Sequence, residues 1–197
     1  MFDAAHSSCF CRYWHFTGTK NDWLDRCANR PEENFEEMRA GVAAHDPAAR
    51  GLVALDGDRI VGWMKLTARV HVPKLRALPV YRSLDLGSET TTYSIGCVLV
   101  HPEARGRGVA RALVAAAPGF VRTWGGHAIE AYPRRSTEPL HPEEAWQGPE
   151  RVFVEAGFDA VHDVQPYPVY RLFVQDRAPD ADEEAASESS STDLDHR

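Results

Sequence analysis

The 197-residue sequence has no run of about 18 apolar residues, the length a helix needs to cross a bilayer. No membrane partner is therefore expected. Its opening, MFDAAHSSCFCRYWHF, lacks the basic start and plain apolar stretch of a secretory leader. Cysteine is scarce: positions 9, 11, 27 and 97 give no obvious disulfide framework, which points to a reduced, cytoplasmic setting. Positive charge is also lacking, since the formal net charge is −7. Eight acidic residues against two arginines in 176–197 account for −6 of it, leaving the body near −1. With no basic face, nucleic acid is not an expected partner. There is no internal repeat. What remains suits one domain over 1–175, with 43% hydrophobic residues enough for a sizeable core. Residues 176–197 are polar, acidic and free of aromatics, and read as a disordered tail.

The most informative stretch is TYSIGCVLVHPEARGRGVARALVAAA, from Thr92 to Ala117. Ile95, Val98, Leu99 and Val100 mark a buried strand. His101-Pro102-Glu103 turns the chain, and Arg105-Gly106-Arg107-Gly108-Val109-Ala110 leads into a helix with little side-chain bulk. Unpaired N–H groups at a helix start form an anion site. Glycines let the backbone approach a ligand, and the arginines add charge. A diphosphate fits such a loop. A P-loop would need Lys and Ser or Thr after its second glycine, where Val109 and Ala110 stand. A dinucleotide fingerprint would need Gly or Ala at Arg111.

Elsewhere, SCFCRYWHF (8–16) alternates and reads as a first strand with Cys9, Cys11, Tyr13 and His15 on one face. Helices are predicted over Asn21 to Ala28 and from Pro31 to about Asp46. Residues 51–55 and 59–66 around Asp56-Gly57-Asp58 read as a hairpin, and 71–90 as a long connection without clear period, of a length that is usually functional or mobile. The helix after the anion loop, with Val109, Leu113 and Ala116 on its stripe, should kink or end near Ala117, before Pro118. A strand through Ile129, Ala131 and Tyr132, a helix from Pro149 to Gly157, and strands over 158–164 and 169–174 complete the chain.

Arg105, Gly108 and Ala110 match the Arg/Gln-x-x-Gly-x-Gly/Ala loop of motif A, and with the element order over residues 8–174 the chain resembles the GNAT superfamily of acyl-CoA-dependent N-acyltransferases. The CxC start, Gly62-Trp63, Glu130-Ala131-Tyr132-Pro133 and the Phe153-to-Phe158 helix resemble a poorly characterised bacterial branch. The resemblance implies an α/β (α+β) fold, a mixed, mostly antiparallel sheet of about seven strands flanked by about four helices. It implies acetyl-CoA as cosubstrate, bound through Val98, Val100, Arg105, Gly106, Arg107, Gly108, Val109 and Ala110, with the pantetheine arm pairing to the backbone of Val98 and Val100. The expected acceptor is a primary amine of a small molecule or peptide, and a homodimer is compatible with the reading.

The resemblance also exposes two departures. Ser94 stands where members with a glutamate base carry it, and Phe153 where many carry a tyrosine acid. Glu130 and Tyr132, on one face of the neighbouring strand under period two, are the substitutes for base and acid; Tyr93, His101 and Tyr170 follow at lower rank. A catalytically silent acyl-CoA-binding module docking through its acidic tail is the alternative. Cys9, Cys11, His15 and Cys27 include zinc-ligand types, but Cys-x-Cys is not a usual structural zinc spacing. No metal is expected; buried small side chains or an acceptor-pocket role remain open for the thiols.

Overall fold

The computed structural model describes residues 2–5, 7–86, 88–141 and 144–174. The acidic segment 176–197 lies outside them.

Six strands form one sheet in the order β1-β2-β3-β4-β6-β5. Helix α1 (Lys20–Asn29) begins at a capping box in which Thr19 accepts from the Asp22 amide while the Asp22 carboxylate accepts from that of Thr19. Helix α2 (Pro31–Ala43) has its proline at the first turn, where no N–H is needed, followed by Glu32 and Glu33 at the positive end of the helix dipole. Strands β1 (Gly51–Asp56) and β2 (Arg59–Ala68) make the expected hairpin, turning at Gly57 with φ +58°. The connection beyond β2 is not structureless: it holds a short helix α3 (Pro73–Ala77) whose Leu75 is buried.

Strand β3 (Thr92–Val100) is antiparallel to β2 and parallel to β4 (Ala128–Ala131). Helix α4 (Val109–Thr123) is the crossover between them. It does not stop at Pro118 but runs through it to Thr123, because Leu113, Val114, Ala117 and Val121 form one buried stripe. Keeping Val121 in the core outweighs the one hydrogen bond that proline removes. Ala116, expected on the stripe, is exposed. Helix α5 (Glu150–Glu155) and strands β5 (Asp159–His162) and β6 (Val169–Phe173) follow, with β6 antiparallel to both β4 and β5.

The two sheet faces bury different material. Met64, Leu66, Ile95 and Ile129 pack with the α4 stripe, Phe153 and Phe158. One further cluster joins Cys11, Met38, Trp63 and Cys97, and another joins Trp14, Leu75, Tyr81, Leu86 and Tyr132. A bulge at Gly96, set by the pairings Lys65↔Cys97 and Leu66↔Ile95, switches the alternation of β3 so that Ile95 and Val98 share the α4 side.

The expected first strand is not formed. Residues 8–16 make tight turns and a 3-10 turn at Tyr13–His15, with Phe10 at φ +43° and Cys11 at φ +56°. Aromatics stand at positions of both parities, so no clean polar face existed to make a strand, and the segment coils to carry Trp14 onto the sheet. Among the described residues the sheet therefore has six strands rather than about seven, and five α-helices flank it rather than about four.

Candidate active site

The loop before α4 has the geometry its glycines predict. Gly106 (φ +73°) and Gly108 (φ +83°) occupy left-handed conformations, and nothing lies within 4 Å of where a Cβ would stand on either. No side chain caps α4 at Gly108. The first-turn N–H groups thus face outward, a cradle suited to an anion.

This cradle opens into a cavity of ≈ 720 Å³. Val98, Val100, Arg105, Gly106, Gly108, Val109 and Ala110 all line it. Arg107, the eighth residue expected to bind the cosubstrate, turns away and pairs with Asp56 at 3.1 Å. Arg111 and Arg151, not singled out by the sequence, add two more cations to the lining.

From the cradle the cavity follows β3. Pairing between β3 and β4 covers Thr92 to Ile95 only, opposite Ala128 to Ala131, so the two strands part beyond Ile95. The opening this leaves is partly occupied by the chain itself: the Val98 N–H donates to the Trp146 carbonyl at 2.7 Å. A strand N–H left unpaired inside a protein takes the nearest acceptor. Pairing of a ligand to Val98, expected from the sequence, would require that bond to break; Val100 lines the cavity nearer the cradle.

The far wall is built by the N-terminal turns. Cys9, Cys11, Tyr13 and Trp14 line it together with Trp23, Cys97 and Trp146. Trp14 is fixed by its indole N–H to the Gly96 carbonyl at 2.6 Å. A Cβ on Gly96 would lie 2.6 Å from the Trp14 ring, so glycine is required there. The Trp63 indole N–H meets the Cys11 sulfur at 3.2 Å. Burial, then neighbouring Cys11, pushes the Cys9 thiol up to about 11, and burial raises the Tyr13 phenol. Lys65, paired in register with Cys97, is wholly buried; burial pushes its ammonium down to about 8, and it donates to the Ala48 carbonyl.

Glu130 and Tyr132 do not line this cavity. Glu130 is fully buried; one carboxylate oxygen accepts from Arg69 at 2.8 Å and the Tyr132 hydroxyl at 2.8 Å, the other from two nitrogens of Arg171 at 2.9 and 2.6 Å. All four lone-pair positions of a carboxylate are thereby used. The Tyr132 hydroxyl also lies 3.0 Å from that of Ser94. Desolvation and the Glu130 charge hold the Tyr132 phenol well above its usual range. Phe153 is a core residue against Phe158. Tyr93 bonds the Trp124 carbonyl, His101 sits with Arg59 and Glu103, and Tyr170 donates to Glu150; none lines the cavity. Among the described residues no Asp, Glu, His or Lys lines it, and no group of three or more His, Cys, Asp or Glu side chains could hold a metal ion.

A strand, an uncapped glycine-bearing turn and a helix, beside two parallel strands that part at a cavity, define an α/β protein with an open helix-start cradle continuous with a strand-edge cavity. A family model described as the acetyltransferase (GNAT) family matches residues 12–143, and the chain belongs to that family. Among solved structures, PaiA N-acetyltransferase from Thermoplasma acidophilum, in complex with coenzyme A, aligns at TM-score 0.51 and 8% identity over 87% of this chain and 92% of that one. An aminoglycoside 6′-acetyltransferase type Ii aligns at TM-score 0.49 and 17% identity over 89% and 91%. A GNAT family acetyltransferase from Brucella melitensis, in complex with acetyl-CoA, aligns at 0.41 and 17% over 77% and 74%. No curated protein sequence matches. Among the described residues no helix is long and apolar enough to cross a membrane.

Proposed function

We propose that this chain transfers an acetyl group from acetyl-CoA to a primary amine of a small molecule or peptide by direct attack. The observation that carries the reading is the open cradle at Gly106 and Gly108, continuous with a cavity along β3. Backbone N–H groups of Val109 and Ala110, with Arg105, would hold the diphosphate, and Arg111 and Arg151 stand in the same lining for further phosphate charge. The pantetheine arm would run past Val100 towards Cys97, placing the thioester by the aromatic wall.

Positioning supplies much of the acceleration in such a reaction. The amine nitrogen forms a bond to the acetyl carbon, and the carbon–sulfur bond breaks with its electron pair going to sulfur. One proton must leave the nitrogen and one must reach the thiolate. With no carboxylate, imidazole or lysine among the described residues of the lining, the amine gives its proton to water. The Tyr13 phenol, which lines the cavity, would give a proton to the thiolate and recover it from solvent. Glu130 and Tyr132, the groups favoured from sequence, are assigned to holding the sheet.

The test is calorimetric titration of acetyl-CoA into the folded protein, with Gly108→Asp alongside. Wild-type binding in the micromolar range should weaken by at least about 100-fold, about 2.7 kcal/mol, when a charged side chain enters the cradle at a positive φ. Equal affinity in both proteins would remove the loop from the site, and no binding to folded wild type would end the acyl-CoA reading. The uncharged proton inventory favours one rival, a silent acyl-CoA-binding module. Release of free CoA thiol only when an amine is added separates the enzyme from it.

A further inference from the structure

The wall at the acyl end of the cavity is a cluster of four rings. Tyr13 stands at 5.1 Å and 70° from Trp14, at 5.6 Å and 66° from Trp23, and at 5.8 Å and 75° from Trp146; Trp14 and Trp146 are 5.8 Å apart. All four line the cavity. Edge-to-face packing around Tyr13 leaves Tyr13 and Trp146 half-buried. The rings are held before any ligand arrives. Trp14 is tied to Gly96 by its indole N–H, and Trp146 by its own carbonyl to the Val98 N–H. A pre-ordered aromatic surface binds without the cost of ordering it.

Among the described residues the ionic side chains of the lining are Arg105, Arg111 and Arg151; Arg105 and Arg111 belong to the cradle, where Arg111 pairs with Glu155 at 2.7 Å, and beside the wall itself the Lys74 ammonium sits 4.7 Å from the Tyr13 ring centroid. Each extra ammonium on an acceptor would be desolvated beside that cation. A single amine meets the same conditions differently: burial and neighbouring cations favour its neutral form, the form that attacks. The wall thus supplies by environment what a general base would supply by proton transfer.

We infer that the acceptor is a monoamine with an aromatic body, an arylalkylamine whose ring packs among Tyr13, Trp14, Trp23 and Trp146 while its nitrogen reaches the thioester beside Cys97. Polyamines and aminoglycosides, with several ammonium groups, are excluded by the same wall. The inference rests on the acetyl-CoA-dependent reading above.

The experiment measures CoA thiol release by the full chain with acetyl-CoA and tryptamine or 2-phenylethylamine, against spermidine and kanamycin. The arylalkylamines should show kcat/KM at least about 100-fold higher. Trp146→Ala should raise the KM for tryptamine about 10-fold and leave the acetyl-CoA Kd, read by calorimetry, within about 2-fold; Trp146→Phe should restore most of the loss. Preference for spermidine or kanamycin would overturn the proposal, as would acetyl-CoA binding with no turnover of either arylalkylamine. A Trp146→Ala effect on acetyl-CoA affinity as large as that on the amine would give the rings to the pantetheine arm instead. Failure of folded wild type to bind acetyl-CoA would be failure of the underlying reading, and calorimetry reports it separately.

Discussion

Two buried places share a wall. The Tyr132 ring lies 6.3 Å from that of Trp14, which faces the cavity, while the Tyr132 hydroxyl turns the other way to Glu130. On the Glu130 side, charge is dense and saturated: one carboxylate, two guanidiniums, a phenol and a serine hydroxyl satisfy one another. On the cavity side there are thiols, indoles and a phenol, and among the described residues the lining charges are arginines. A buried carboxylate is kept only where partners use its lone pairs, and once they do it has nothing left for a substrate. A carboxylate one strand from a ligand gap is therefore not a base by position alone.

The largest effect that can break this contrast is Glu130→Gln. It leaves Arg69, fully buried, and Arg171 without their shared anion, and should cost about 3–5 kcal/mol in denaturant unfolding, with kcat of the folded enzyme within about 2-fold. A stable variant with kcat down about 100-fold, about 2.7 kcal/mol in the barrier, would return Glu130 to the chemistry.

The N-terminal turns that carry the cavity wall should respond to acid through His15. Burial, then the Lys65 and Arg12 charges, pushes the His15 imidazole down to about 3 from 6.5, and its Nε2 is buried with no hydrogen-bond partner. Between those values the unfolded chain binds the proton and the folded one does not. Stability from this group is complete above about pH 6.5 and falls as the pH drops towards 3. Lowering the pH from 7 to 5 should cost about 2 kcal/mol through His15, measured as a shift in the denaturant midpoint. His15→Gln should flatten that slope; an unchanged slope would place the acid sensitivity elsewhere.

Tyr132→Phe is the smallest change. It removes the hydroxyl between Glu130 and Ser94 and should cost about 1–2 kcal/mol with no change in the pH–rate profile. Loss of an alkaline limb in that profile would make the phenol an acid in the reaction.

The anion loop was legible because its letters encode backbone: glycines at 106 and 108 adopt the positive φ values that side chains resist. The hairpin, α1, α2 and the last two strands were legible from turn residues, caps and periodicity. Pro118 misled, since a local rule about a missing N–H is weaker than four core contacts along α4. Residues 8–16 misled more, because alternation there described no polar face. Trp146 lay in a stretch whose spacing carried no signal, Arg111 and Arg151 lay on predicted helices whose pattern does not say what their polar positions line, and the Trp14–Gly96 bond joins residues 82 positions apart.

By itself the sequence determined the glycine-bearing loop, the strand-turn-helix that presents it, and the serine at 94 and phenylalanine at 153. These are local matters, settled by φ preference and residue identity. Only the tertiary structure decided that Glu130 is spent on two arginines, that Val98 is bonded to Trp146, and that Tyr13, Trp14, Trp23 and Trp146 meet at one end of the cavity. Such outcomes depend on which distant groups arrive within hydrogen-bond or van der Waals reach, and that range is set by packing rather than by spacing along the chain.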